Sequence, residues 1–334
     1  MTTQTTVQVL LDNRIRLLSA VLAATDFPET SQQRKRYHAH AHARATRKYM
    51  LDNGYNSHPA VQDVQSLLAQ NAPLEALYTL VLQFSWDGLE IAALPKWAPP
   101  DFNVHLKHFY ETAQLAQFWQ DAGKAWEGAQ SQAERVFEKV HFKEFLEPFL
   151  GKVEEDMIFV PNICYPADDE IGLRVGNKLV SITPPPQAWG DSPPWPYDED
   201  TMRTHSYRAA LLQYARLLLV KYLRENAEAV KDATEKALPV NDAFKALYPA
   251  WEEQFVMLFI TAAVAIYLED YVHSAESRAY ILMERKTRGM TILPGTISVL
   301  RRYLQEHGKK YQTLSDFLKV FPRQLRVAKK IVTL

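Results

Sequence analysis

Pro196-Tyr197-Asp198-Glu199-Asp200-Thr201-Met202-Arg203-Thr204-His205-Ser206-Tyr207-Arg208-Ala209 is the stretch on which the fold turns. Pro196 stops whatever precedes it, and the aspartates that follow can cap exposed backbone N–H groups and favour the positive end of a helix dipole. A helix is expected to begin within a residue or two of Asp198 and to run to Asn226. Ala209, Leu212, Ala215, Leu219 and Tyr222 recur at three- and four-residue steps, which makes one apolar stripe. His205 lies one turn before Ala209 on the same stripe, so it is expected to face inward.

Before this helix the texture is different. Asp156–Pro166 and Glu170–Ile182 are rich in β-branched and aromatic residues, with Gly172, Gly176 and Asn177 as turn or bulge positions. They read as two strands. Thr183–Pro196 carries prolines at 184, 185, 186, 193 and 194 besides Pro196, with Trp189 and Trp195 among them, and reads as a semi-rigid loop.

The N-terminal half is helical by periodicity. Helices are predicted over Val9–Ala24, Ser31–Asn53, His58–Leu68, Ala72–Phe84, Asn103–Ala122 and Ala129–Leu150. In the last of these Phe137, His141, Phe145 and Phe149 share a stripe, which predicts a core histidine at His141. After the 198–226 helix, Leu238–Pro249 is a breaker region and Trp251 opens an apolar helix to Leu268 or beyond. Two short helices, Ile297–Gln305 and Leu314–Val320, precede a basic tail. The fold class is therefore mostly α (α+β), with a helical region 1–150 and a second region 151–334 in one compact unit.

With 334 residues and 47% hydrophobic content the chain can bury a large core. Its 38 Lys+Arg against 39 Asp+Glu leave no global field that would recommend nucleic acid or an anionic membrane as partner. The single cysteine, Cys164, sits among apolar neighbours and reads as a buried small residue rather than a nucleophile. Val7–Ala24 is interrupted by Asp12, Asn13, Arg14 and Arg16, so it is not a secretory segment. The most apolar run, Phe255–Leu268, is too short for a membrane span and lies between acidic pairs. The expectation is a cytoplasmic protein with no membrane contact.

Arg34 to Arg44 contains His38, His40 and His42 in alternation with tyrosine and alanine. On a helix His38 and His42 share a face while His40 points away, which supplies two ligands where a structural zinc site wants four. The segment reads as a solvated basic helix face. Phosphate or acidic-partner binding through Arg34, Arg36, Arg44, Arg47 and Lys48 is the runner-up. No Gly-rich phosphate loop, internal repeat or Gly-x-Ser-x-Gly elbow is present.

Several blocks together resemble an uncharacterised bacterial family of predicted zinc metallopeptidases of the gluzincin type, with a thermolysin-like architecture. They are Asp12-Asn13-Arg14-Ile15-Arg16-Leu17-Leu18-Ser19, Asn56-Ser57-His58-Pro59-Ala60-Val61, the strand pair before the motif helix, and Leu300–Leu318 with Tyr311-Gln312-Thr313-Leu314-Ser315-Asp316-Phe317. In that family the motif helix holds His-Glu-x-x-His, and a later helix supplies a glutamate as third ligand. The resemblance places the first histidine at His205, but Ser206 stands where the general-base glutamate would be and Ala209 where the second histidine would be. The later helix matches Trp251–Leu268, with Met257 at the glutamate position and Glu253 one turn earlier.

A catalytic zinc uses three protein ligands and a base for its bound water. His205 with Glu253 makes two ligands, and a serine hydroxyl cannot serve as the base at neutral pH. A Ser-His pair from His205 and Ser206 fails as well, because adjacent helical side chains diverge by about 100°. The expectation is a catalytically degenerate metallopeptidase-like protein without cofactor. It would bind a peptide or protein partner in the former cleft, or through Trp189, Trp195 and Tyr207. The alternative is a zinc-dependent hydrolase with a rebuilt site around His205 and Glu253, completed by a residue such as Asp200, Glu269 or His273.

Overall fold

The computed structural model describes residues 7–164, 170–188, 192–200 and 203–332. The fold is mostly helical with one small mixed sheet, as the sequence predicts. Two compact units are present: residues 1–140 with 155–210, and residues 141–154 with 211–334.

The first unit contains the sheet. β1 (Val7–Val9), β2 (Asp156–Pro161), β3 (Ile171–Val175) and β4 (Lys178–Thr183) are ordered β1-β2-β4-β3. β1, β2 and β4 are parallel and β3 is antiparallel to β4. The single strand predicted over Glu170–Ile182 is thus a hairpin. Val175 pairs with Lys178 across Gly176-Asn177, and Gly176 has φ +56°, a left-handed conformation suited to glycine at the first position of a two-residue turn.

β2 and β4 are buried over nearly their whole length because helices cover both faces, as parallel strands require. Ile158, Val160, Val180 and Ile182 join a core with Leu18, Val21, Tyr78, Phe102 and Phe109 from the N-terminal helices. Phe159 points the other way and meets Phe137 of helix Gly123–Phe137 at 4.5 Å between ring centroids.

Several predicted helices are shorter or divided. Val9 belongs to β1, and the first helix is Asn13–Ala24, capped by Asp12, whose Oδ1 accepts the Arg14 N–H. The stretch 103–122 is two helices, Phe102–Thr112 and Leu115–Asp121, separated at Gln114 by a left-handed φ of 46°. The stretch 31–53 is Phe27–Arg34 and Ala41–Asp52 with an extended connection between them.

The histidine segment is therefore not one solvated helix face. His38 donates its backbone N–H to Gln187, and His40 caps the second helix by accepting the His42 N–H at Nδ1. His42 is buried, and its Nε2 accepts the Trp126 indole N–H at 3.1 Å. Three adjacent-looking histidines thus have three separate structural duties.

The second unit is helical. Its central helix, Trp251–Tyr271, is the one helix among the described residues long and apolar enough to cross a membrane. It is buried inside the protein from Gln254 to Leu268 except at Met257, as a core helix is. Phe149 packs edge-on to Phe259 of this helix and stacks on Tyr303, while the Tyr303 hydroxyl donates to the Pro148 carbonyl. His141 is exposed rather than part of the core. It ends the preceding segment just outside helix Phe142–Leu150, where its ring lies by Tyr271.

Candidate functional site at the carboxyl edge of the sheet

The helix that contains His205 and Ser206 is described over Arg203–Glu225. Asp198 to Asp200 are not helical, and the Asp198 carboxylate accepts from Arg135 Nε at 2.8 Å. Ala209 and Leu219 are fully buried and Leu212 nearly so, in keeping with the predicted stripe. The first turns of this helix lie in the first unit with the carboxyl ends of β2 and β4 and with Glu170, the residue before β3.

Glu170 organises this corner. Its Oε1 accepts a charged hydrogen bond from Arg208 and stands 3.9 Å from His205 Nε2. The two glutamate partners are three residues apart on one helix, so they share a face. Burial pushes the Glu170 carboxyl up, but the Arg208 guanidinium and His205 together bring it below its usual value. Burial and the Arg208 guanidinium lower His205 to about 4, against an opposing pull from Glu170. His205 is thus a neutral imidazole at pH 7, beside an ion pair that is already complete.

Ser206 serves the backbone. It is fully buried, and its hydroxyl donates to the Tyr197 carbonyl at 3.2 Å. The Tyr197 hydroxyl donates in turn to the Thr183 carbonyl at 2.7 Å and accepts the Asn162 N–H at 3.0 Å. Asn162 continues the network by donating from Nδ2 to Ser19 Oγ, which itself donates to the Ile15 carbonyl. The ends of two parallel strands, the proline-rich loop and the motif helix are tied by buried hydrogen bonds of this kind, each of which would be costly to leave unmade.

These residues do not fit a zinc ion. Ala209 offers no donor, the Ser206 hydroxyl is directed at a carbonyl, and the Glu170 oxygen nearest His205 is held by a guanidinium. A fixed cation within this distance of the ligands opposes a dication. Among the described residues no group of three or more His, Cys, Asp or Glu could hold a metal. Glu253 lies in the second unit, where its Oε2 accepts the Ala250 N–H at the start of its own helix. The residues considered for a third ligand are also engaged: Asp200 with Arg203, Glu269 with Arg301, and His273 as the cap that accepts the Ala275 N–H.

Cys164 is not an activated thiol. Burial pushes the Cys164 thiol up to about 11, and it lies 3.6 Å from the Thr46 hydroxyl. Trp195 is half-buried and lines a small cavity with His40, Gln132 and Tyr197. Tyr207 is half-buried with its ring 6.1 Å from Phe137, and burial raises its hydroxyl. Trp189 lies outside the described residues. Met257, at the position compared with the family's glutamate, lines a groove of about 730 Å³ in the second unit.

Sequence reasoning singled out His205 but did not place Glu170 beside it. The available signal was Arg208: a guanidinium on a helix face that also carries buried positions requires a carboxylate. The sequence contains 39 acidic residues and does not say which one. Compared with protein families, with curated proteins and with solved structures, the chain has no significant match.

Proposed function

We propose that this is a catalytically degenerate, metallopeptidase-like protein of the cytoplasm that works without zinc by binding a peptide or protein partner. The observation that carries the reading is the Arg208–Glu170 ion pair beside His205. A guanidinium satisfies the carboxylate nearest the motif histidine, and the serine in place of the catalytic glutamate is absorbed into a structural hydrogen bond. The changes are mutually consistent. A buried carboxylate without its cation is costly, so a site that gives up a dication needs another positive group. Arg208 supplies one.

The test is the zinc content of protein purified without an affinity histidine tag, repeated on His205→Ala and on Arg208→Met. We expect well below ~0.1 zinc per chain in all three, with wild-type unfolding unaffected by chelator. About one zinc per chain that is lost in His205→Ala would overturn the reading and favour the rebuilt hydrolase site.

A further inference from the structure

The second unit contains a groove of about 730 Å³, within the range of roughly 300–1,000 Å³ typical of binding pockets. Three helices line it: Arg203–Glu225, Ala227–Thr234 and Trp251–Tyr271. Its apolar surface includes Leu223, Val230 and Val256, each under a tenth exposed, so the floor is anchored in the core. Charge is separated by wall. Arg224 and Lys231, from the first two helices, are exposed and have no ion-pair partner among the described residues. Glu252 and Glu253, from the first turn of the third helix, supply the opposite sign.

The complement of such a surface has aliphatic side chains flanked by an acid on one side and a base on the other. A simple fatty anion would satisfy Arg224 and Lys231 but would face Glu252 and Glu253, and an uncharged apolar ligand would leave both walls without a counter-charge. A peptide can present both charges and the apolar group on one short segment. Resting on the binding reading above, we infer that this groove is the docking site for a peptide segment with aliphatic residues between an acidic and a basic flank. Electrostatic complementarity then sets the direction in which the segment lies, since reversing it would place like charges together.

The probe is a displayed library of random 12-residue peptides selected on the full chain, with the enriched peptides then measured free by fluorescence polarisation. Enriched sequences are expected to carry aliphatic residues with both signs of charge. Binding should weaken at least about tenfold in Arg224→Glu/Lys231→Glu and remain within about threefold in Arg224→Lys/Lys231→Arg. Both positions are exposed, so the double variant is expected to keep the wild-type fold, checked by its circular dichroism and urea unfolding, and Met257→Trp, which fills the groove, should also block binding. Failure to enrich any peptide would overturn the inference. So would binding that ignores both the charge reversal and Met257→Trp. Zinc is assayed on the same preparation: zinc at His205 would remove the degenerate reading, whereas zinc-free protein with no enriched peptide would remove only the groove.

Discussion

Acidification should weaken this fold through one buried histidine, and His42→Gln isolates the effect. His42 accepts the Trp126 indole N–H, its ring stacks on Phe118, and it is 7% exposed. Burial lowers its pKa from 6.5 to about 4, with further lowering by His40 and Arg16. The folded state therefore holds this imidazole neutral where the unfolded chain would protonate it. The stability this contributes is fully present above pH 6.5 and is lost as pH falls from there through about 4. At about 1.4 kcal/mol per pH unit, the loss between pH 7 and pH 4 is about 3 kcal/mol. Glutamine keeps an acceptor for Trp126 but cannot titrate. Urea unfolding of both proteins across this window should show an acid loss about 3 kcal/mol larger in the wild type, the other groups cancelling in the difference. NMR titration of the His42 ring should give a midpoint near 4. Equal acid losses in the two proteins, or a ring titrating near 6.5, would refute the reasoning.

Two further outcomes rest on other parts of the first unit. Tyr197→Phe removes the donor to the Thr183 carbonyl and one acceptor for the Asn162 N–H, and should cost about 2 kcal/mol in urea unfolding. Recovery of full wild-type stability by that variant would mean the network does not tie the loop. Gly176→Ala meets no atom within 4 Å, so its cost is the left-handed backbone alone, about 1 kcal/mol. A neutral or stabilising result there would show that the hairpin turn can relax to negative φ.

The blocks that suggest a family resemblance have clear structural work. Asp12 caps the first helix and pairs with Arg14, which also donates to the Leu82 and Phe84 carbonyls. His58 caps the helix Pro59–Ala69 by accepting the Ala60 N–H. Thr313 and Asp316 form a reciprocal capping box at Leu314–Leu318. The caps are contacts within three residues of chain, which is why such blocks stand out in a sequence, whereas the Arg14 bonds to Leu82 and Phe84 reach about seventy residues along it.

The sequence by itself determined the mostly helical class, the burial of the 251–271 helix and the inert, buried state of Cys164, because apolar periodicity and composition act within a few turns. Only the tertiary structure decided the rest. Val7–Val9 is too short to announce itself and becomes a strand by pairing with Met157–Phe159. His38, His40 and His42 share one local pattern yet receive three roles from Gln187, their own helix end and Trp126. Glu170 finds His205 and Arg208 across more than thirty residues of chain, a pairing set by where the sheet edge meets the helix. Local propensity acts over a few residues, whereas such partners are chosen by the packing that brings distant segments together.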